Sequence, residues 1–176
     1  AKSTAMALRL GNALESGTRR LRLSEISAKN EPRIDLHDKE FNRVLGGGLV
    51  PGSIVLLGGE PGIGKSTLTL QTILRMPERQ ILYVSGEESA HQLKMRAERI
   101  EHPENESCQI LCETSLENIF AHIKEAAPEI VIIDSIQTIS TDNVDSSPGS
   151  ISQVRECATA LLRFAKTSGI PVILIG

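Results

Sequence analysis

Five short apolar runs punctuate the chain: Ile54–Leu57, Ile81–Ser85, Gln109–Leu111, Ile130–Asp134 and Pro171–Ile175. Several are continuous in aliphatic residues instead of alternating, the pattern of parallel strands covered on both faces. Between them lie stretches with helical spacing: Lys65–Met76 before Pro77, Ala90–Ile100, Leu116–Ala127 before Pro128, and Ile151–Ser168 before Gly169. The last places Val154, Cys157, Ala158, Leu161, Leu162 and Ala165 on one stripe. Ser115 and Ser150 stand where N-caps belong and Gly169 where a C-terminal glycine does. Strand and helix in alternation predict an α/β fold: a mostly parallel, twisted sheet with helices on both faces.

Residues 1–30 break this pattern. Arg19, Arg20 and Arg22 sit among Ser, Thr and Gly, so the segment reads as a poorly structured leader or linker, or as a short phosphate-attracting arm. The regular pattern occupies residues 31–176 and stops at Gly176 directly after Val172–Ile175, which predicts an incomplete core and a longer parent chain.

Composition narrows the function classes. Hydrophobic residues make up 40% and aromatic residues only 2%, so the core is aliphatic and a base-stacking platform of rings is disfavoured. The net charge of −3 confines any nucleic-acid contact to a local patch. No run approaches the length of a membrane span, and the first residues lack a signal-peptide pattern. Cys108, Cys112 and Cys157 lack the paired spacing of a four-ligand zinc site; they predict three buried or inert thiols in a reducing, cytoplasmic setting.

The strongest chemical signal follows the first apolar run. Gly59, Glu60, Pro61, Gly62, Ile63, Gly64, Lys65 and Ser66 fit G-x4-G-K-[ST], preceded by a strand and followed by a helix that Thr67 continues. Glycines let successive amides turn inward around a phosphate, and the helix N-terminus adds partial positive charge. Lys65 is suited to reach the β- and γ-phosphates of ATP, and the Ser66 hydroxyl to ligate Mg²⁺. Asp134 ends an apolar strand and reads as the second Mg²⁺ holder, acting through water. Glu87 and Glu88 follow the strand Ile81–Ser85, where a carboxylate can orient or deprotonate an attacking water; Glu87 is the first candidate and Glu88 the second. Acids that merely favour the next helix N-terminus are the alternative.

This motif set resembles the RecA-like branch of P-loop ATPases. Phe41–Ser53, Tyr83–Ser89, Asp134–Thr138, Ser146–Ser150 and Gln153–Glu156 together resemble the bacterial RadA (Sms) family, from about Leu23 to Gly176. The resemblance implies an ATP-driven motor in recombinational DNA repair that promotes branch migration on single-stranded DNA and branched intermediates. It implies a homo-hexamer, acting alongside the RecA recombinase and away from membranes. The family's N-terminal four-cysteine zinc motif, its Lys-Asn-Arg-Phe-Gly motif and its Lon-like domain are not in this sequence, so zinc is expected only in that missing motif. A KaiC-like autokinase and a slow nucleotide switch use the same phosphate cradle and remain alternatives.

Two further features stay open at this level. Ser135–Ser150 is polar and Ser/Thr-rich; the resemblance favours DNA contact there with no single residue assigned, whereas Asp142 and Asp145 favour a flexible surface loop. Arg155, Arg163 and Lys166 on one helix, and Lys94, Arg96 and Arg99 on another, read as solvated faces, one of which could serve a neighbouring subunit's phosphate. His37, His91, His102 and His122 read as non-catalytic.

Overall fold

The structure is a computed structural model that describes residues 20–26, 32–58, 64–76, 79–100 and 106–176. The chain divides into two units, Ala1–Glu31 and Pro32–Gly176. In the first, the described residues contain one 3₁₀ turn, Leu23–Glu25. The described residues of the second form five strands, β1 (Ile54–Leu57), β2 (Ile81–Ser85), β3 (Cys108–Cys112), β4 (Ile130–Asp134) and β5 (Val172–Ile175). All neighbours are parallel, in the order β1-β5-β4-β2-β3.

Five α-helices among the described residues accompany them: α1 (Lys39–Val44), α2 (Lys65–Leu74), α3 (Ala90–Glu98), α4 (Leu116–Ala126) and α5 (Ile151–Ser168). The two-residue period of a strand sorts the aliphatic runs into two cores. Ile81, Tyr83, Ile130, Ile132, Ile173 and Ile175 pack with Leu70 and Ile73 of α2, Leu93 of α3 and Phe41 of α1. Their neighbours Leu82, Val84, Val131, Ile133, Val172 and Leu174 pack with Ile119 and Ile123 of α4 and Cys157, Leu161 and Ala165 of α5. Each fully buried aliphatic side chain contributes about 1.5–3 kcal/mol, so continuous apolar runs are what a doubly covered sheet requires.

The element ends differ from the sequence reading for local reasons. α2 stops at Leu74 and α3 at Glu98, because the next amides turn back to carbonyls three residues earlier (Arg75 to Thr72, 3.2 Å; Arg99 to Arg96, 3.2 Å), tightening the last turn. β3 extends one residue beyond the predicted run at each end. α1 has six residues, too short to show a period. It is started by Asp38, whose carboxylate accepts the Phe41 amide at 2.8 Å, and it is anchored by buried Phe41. Gly48 precedes the bridge between Ile34 and Leu49 at φ +132°, where a Cβ would lie 2.7 Å from the Ile34 carbonyl oxygen; only glycine fits there.

One thiol corrects the expectation. Cys112 lies on an edge strand and is exposed, whereas Cys157 is buried and Cys108 partly so. Burial pushes the Cys108 thiol up to about 12 and that of Cys157 to about 11, so both stay protonated.

The polar segment after β4 is not a loose loop. Its start forms a 3₁₀ turn, Ile136–Thr138, and Ser140 bridges to Ser115. Gln153, buried in the first turn of α5, donates through Nε2 to the carbonyls of Thr141 (3.0 Å), Val144 (3.1 Å) and Ser146 (3.0 Å), and accepts the Thr141 amide at 2.9 Å. From α4, the Glu117 carboxylate accepts the Thr141 hydroxyl (2.5 Å) and the Asp142 amide (3.0 Å). The Thr141 bond holds the Glu117 carboxyl below its ordinary range. The tip, Asp145–Gly149, remains exposed.

Candidate functional site

The sheet register builds the site. Leu57, Ile175, Asp134, Ser85 and Cys112 form one row across the C-terminal edge of β1, β5, β4, β2 and β3. Asp134 therefore lies two strands, about 10 Å, from the exit of β1, and Gly86–Glu88 leave β2 right beside it. Ligands of open α/β sheets bind along this carboxyl edge.

Of the predicted phosphate loop, Gly59, Glu60, Pro61, Gly62 and Ile63 lie outside the described residues. Gly64 caps α2 in the left-handed region at φ +76°, a backbone conformation that suits glycine. No side chain among the described residues caps α2, so its first amides are left for another acceptor. Lys65 opens the helix and its Nζ donates to the carbonyl oxygen of Gly176, just past β5. The lysine thus ends at the C-terminal edge of the sheet, where β5 finishes. Ser66 and Thr67 follow on the first turn; the Thr67 hydroxyl accepts a hydrogen bond from Arg96 at 3.1 Å.

Asp134 and Ser135 are joined by a cis peptide bond. The Asp134 Oδ2 accepts the phenol of Tyr83 at 2.5 Å. Tyr83 sits two residues back along the neighbouring strand, on the same face, opposite Ile132. A fully buried phenol needs a partner, and here it fixes the orientation of the acid. Burial, and then the Asp134 charge, push the phenol well above its ordinary range, so Tyr83 is a donor at every physiological pH. The other carboxylate oxygen of Asp134 and the Ser66 hydroxyl make no hydrogen bond among the described residues. These two hard oxygen donors fit a Mg²⁺ ion better than a soft metal.

The two glutamates are placed differently. Glu88 is half-buried, ion-paired with Arg96. Its amide donates to the Ser85 hydroxyl (3.1 Å), which donates back to its carbonyl (2.9 Å). Glu87 is exposed and has no hydrogen bond or ion pair among the described residues. Ser89 then caps α3, accepting the Gln92 amide at 3.2 Å. Arg96 contradicts its reading as a solvated cation: Lys94 and Arg99 on the same helix are exposed, but Arg96 turns inward.

Gly86 joins this turn to the segment after β4. Its amide donates to the Asp134 carbonyl at 2.9 Å, and a Cβ would stand 1.8 Å from the Thr138 hydroxyl and 2.6 Å from its Cβ. Gly86→Ala should therefore push the turn and the Ile136–Thr138 segment apart, lowering stability by about 1–3 kcal/mol in denaturant unfolding. An alanine variant as stable as the parent would show that the packing here is loose.

Three residues of the site escaped the sequence reading. Tyr83 carried a signal, being the lone phenol within a β-branched run, but its partner depends on register. Arg96 looked like its solvated neighbours, and Gly86 like an ordinary turn glycine.

The family AAA_25, described as an AAA domain, matches residues 20–176. The chain belongs to that AAA domain family. Within it, the chain is 49% identical over 156 residues to the DNA repair protein RadA of Bacillus subtilis and to that of Escherichia coli, covering 88% of this chain and 34% of each relative. Streptococcus pneumoniae RadA is 46% identical over 160 residues, covering 90% and 38%. The chain thus spans about a third of the length of the curated relatives it matches. A KaiC-like protein from Pyrococcus horikoshii OT3 superposes with a TM-score of 0.64 at 24% identity, covering 82% of this chain and 69% of that one. The RadB recombinase superposes at 0.57 and 25%, covering 81% and 69%. The α/β fold of this AAA domain is accordingly RecA-like, as the motif order led one to expect. No helix among the described residues is long and apolar enough to cross a membrane.

Proposed function

We propose that this AAA domain binds and hydrolyses ATP as the core of a DNA-dependent motor in recombinational repair. The observation that carries the reading is the shared sheet row, which sets the exit of β1, Asp134 and the Glu87 turn along one edge.

In this reading the amides of Gly59–Gly64 and of the first turn of α2 cradle the phosphates, and Lys65 Nζ exchanges its carbonyl partner for phosphate oxygens. Ser66 and Asp134 would hold Mg²⁺, which when bound neutralises charge on the β- and γ-phosphates. Tyr83 keeps Asp134 turned for that task. Glu87, exposed at the tip of β2, accepts a proton from the attacking water. The water oxygen bonds to the γ-phosphorus as the bond to the ADP oxygen breaks.

The relatives' names, DNA repair protein and recombinase, support DNA as the partner. Single-stranded DNA and branched intermediates are the substrate class proposed here, with a homo-hexamer, a RecA-type recombinase as partner and a cytoplasmic setting. The exposed hydroxyls and amides of Asp145–Gly149, held out by Gln153, are the DNA-facing candidates. Asp145 in this tip and Asp142 just before it favour contact through hydroxyls and amides over charge pairing.

Turnover measured with and without single-stranded DNA tests this. The expected result is a several-fold rise with DNA. Unchanged turnover, accompanied by labelled phosphate incorporated into the protein, would instead favour an autokinase.

A further inference from the structure

We infer that Arg96 is a positioning residue for ATP hydrolysis, tying the glutamate turn after β2 to the phosphate-binding helix; this rests on the ATPase reading above. Arg96 lies near the end of α3, yet its guanidinium faces inward, with its side chain 22% exposed. One terminal nitrogen, Nη1, pairs with Glu88 Oε1 and the other, Nη2, donates to Thr67 Oγ1 at 3.1 Å. The planar fork therefore spans two elements distant in sequence, the turn carrying Glu87 and Glu88 and the first turn of α2 directly after Ser66. A lysine, with one nitrogen on a flexible stem, could hold one side but not both in fixed geometry.

The clamp separates the roles of the adjacent acids. Glu88 is occupied on its side chain by Arg96, and its backbone is held by the Ser85 hydroxyl and approached by the Cys112 thiol at 3.5 Å. Glu87, one residue earlier, extends from that anchored turn with its carboxylate unengaged among the described residues. A water-activating carboxylate must keep its distance from the phosphate it serves, and small displacements are costly in rate. Arg96 supplies that constraint without touching the reacting atoms. It also neutralises Glu88, so that a second free carboxylate does not repel the triphosphate.

The experiment compares affinity for ADP with affinity for ADP–aluminium fluoride, a mimic of the transferring phosphoryl group, in the parent chain, Arg96→Ala, Arg96→Met, Arg96→Lys, Glu88→Gln and Arg96→Ala/Glu88→Gln. Arg96→Ala and Arg96→Met should weaken the mimic by about tenfold or more while ADP shifts by under about threefold, because the clamp serves the transition state. Arg96→Lys should recover part of the loss. The double variant should be no weaker than the worse single one, since both break one unit. Equal losses for both ligands, no loss for either, or fully multiplicative effects in the double variant would overturn the assignment. Thermal melting identifies a variant that has lost its fold; Arg96→Met, which keeps the apolar stem, and Arg96→Lys then carry the comparison. A parent chain that binds neither ligand overturns the ATPase reading itself and the inference with it. Binding of both ligands that depends on Lys65, with ADP–aluminium fluoride bound as tightly by the Arg96 variants as by the parent, overturns only the clamp.

Discussion

Replacing Lys65 by Ala should weaken the binding of a fluorescent ATP analogue by about 10- to 100-fold, the equivalent of one charge-assisted contact of 1.5–3 kcal/mol. The fold should survive. Lys65 opens α2 and sends its ammonium to the Gly176 carbonyl at the sheet edge, while the residues that hold α2 to the sheet are Leu70, Ile73 and Leu74. Removing the ammonium therefore takes away a ligand contact and no core packing. Denaturant midpoints should stay close to those of the parent, and a variant that binds the analogue as well as the parent would remove the phosphate site from this account.

Glu87→Gln should separate binding from chemistry. The amide keeps the size and exposure of the carboxylate but cannot accept the proton, so ATP affinity should stay within about threefold while turnover falls by about 100-fold or more. The same change at Glu88 should act differently, because Glu88 is paired with Arg96 and its loss disturbs the clamp. Steady-state hydrolysis and equilibrium binding on both variants check this. Full turnover in Glu87→Gln would move the base elsewhere, with Glu88 the first candidate.

Much of this architecture was legible in the linear pattern. The runs Ile130–Ile133 and Ile81–Val84 are apolar at every position because both faces of β4 and β2 are covered, and that redundancy made them easy to recognise. The caps Ser115 and Ser150 and the stop at Gly169 act through local geometry, so they too were readable. Strand order was not: β5 lies between β1 and β4, an arrangement dictated by crossover packing and not by any short-range signal.

The site divides in the same way. Lys65, Ser66 and Asp134 are candidates that short local motifs single out. Tyr83, Arg96 and Gln153 act on partners 51, 29 and 12 residues away, through side chains that look generic until the chain is folded. Gln153 shows the difference most clearly. In the sequence it is one polar residue on a helix; in the fold it is buried and holds the backbone of a polar segment in one conformation.

The central claim is that the carboxyl edge of β1, β5 and β4 receives a magnesium-bound triphosphate. Crystals of the chain grown with a non-hydrolysable ATP analogue and Mg²⁺ test it directly. The account predicts phosphates enclosed between Gly59 and Thr67, Lys65 Nζ turned from Gly176 to a phosphate oxygen, and the metal between Ser66 and the Asp134 side. An analogue bound elsewhere, or a triphosphate at the loop with Asp134 turned away from its metal, would contradict it.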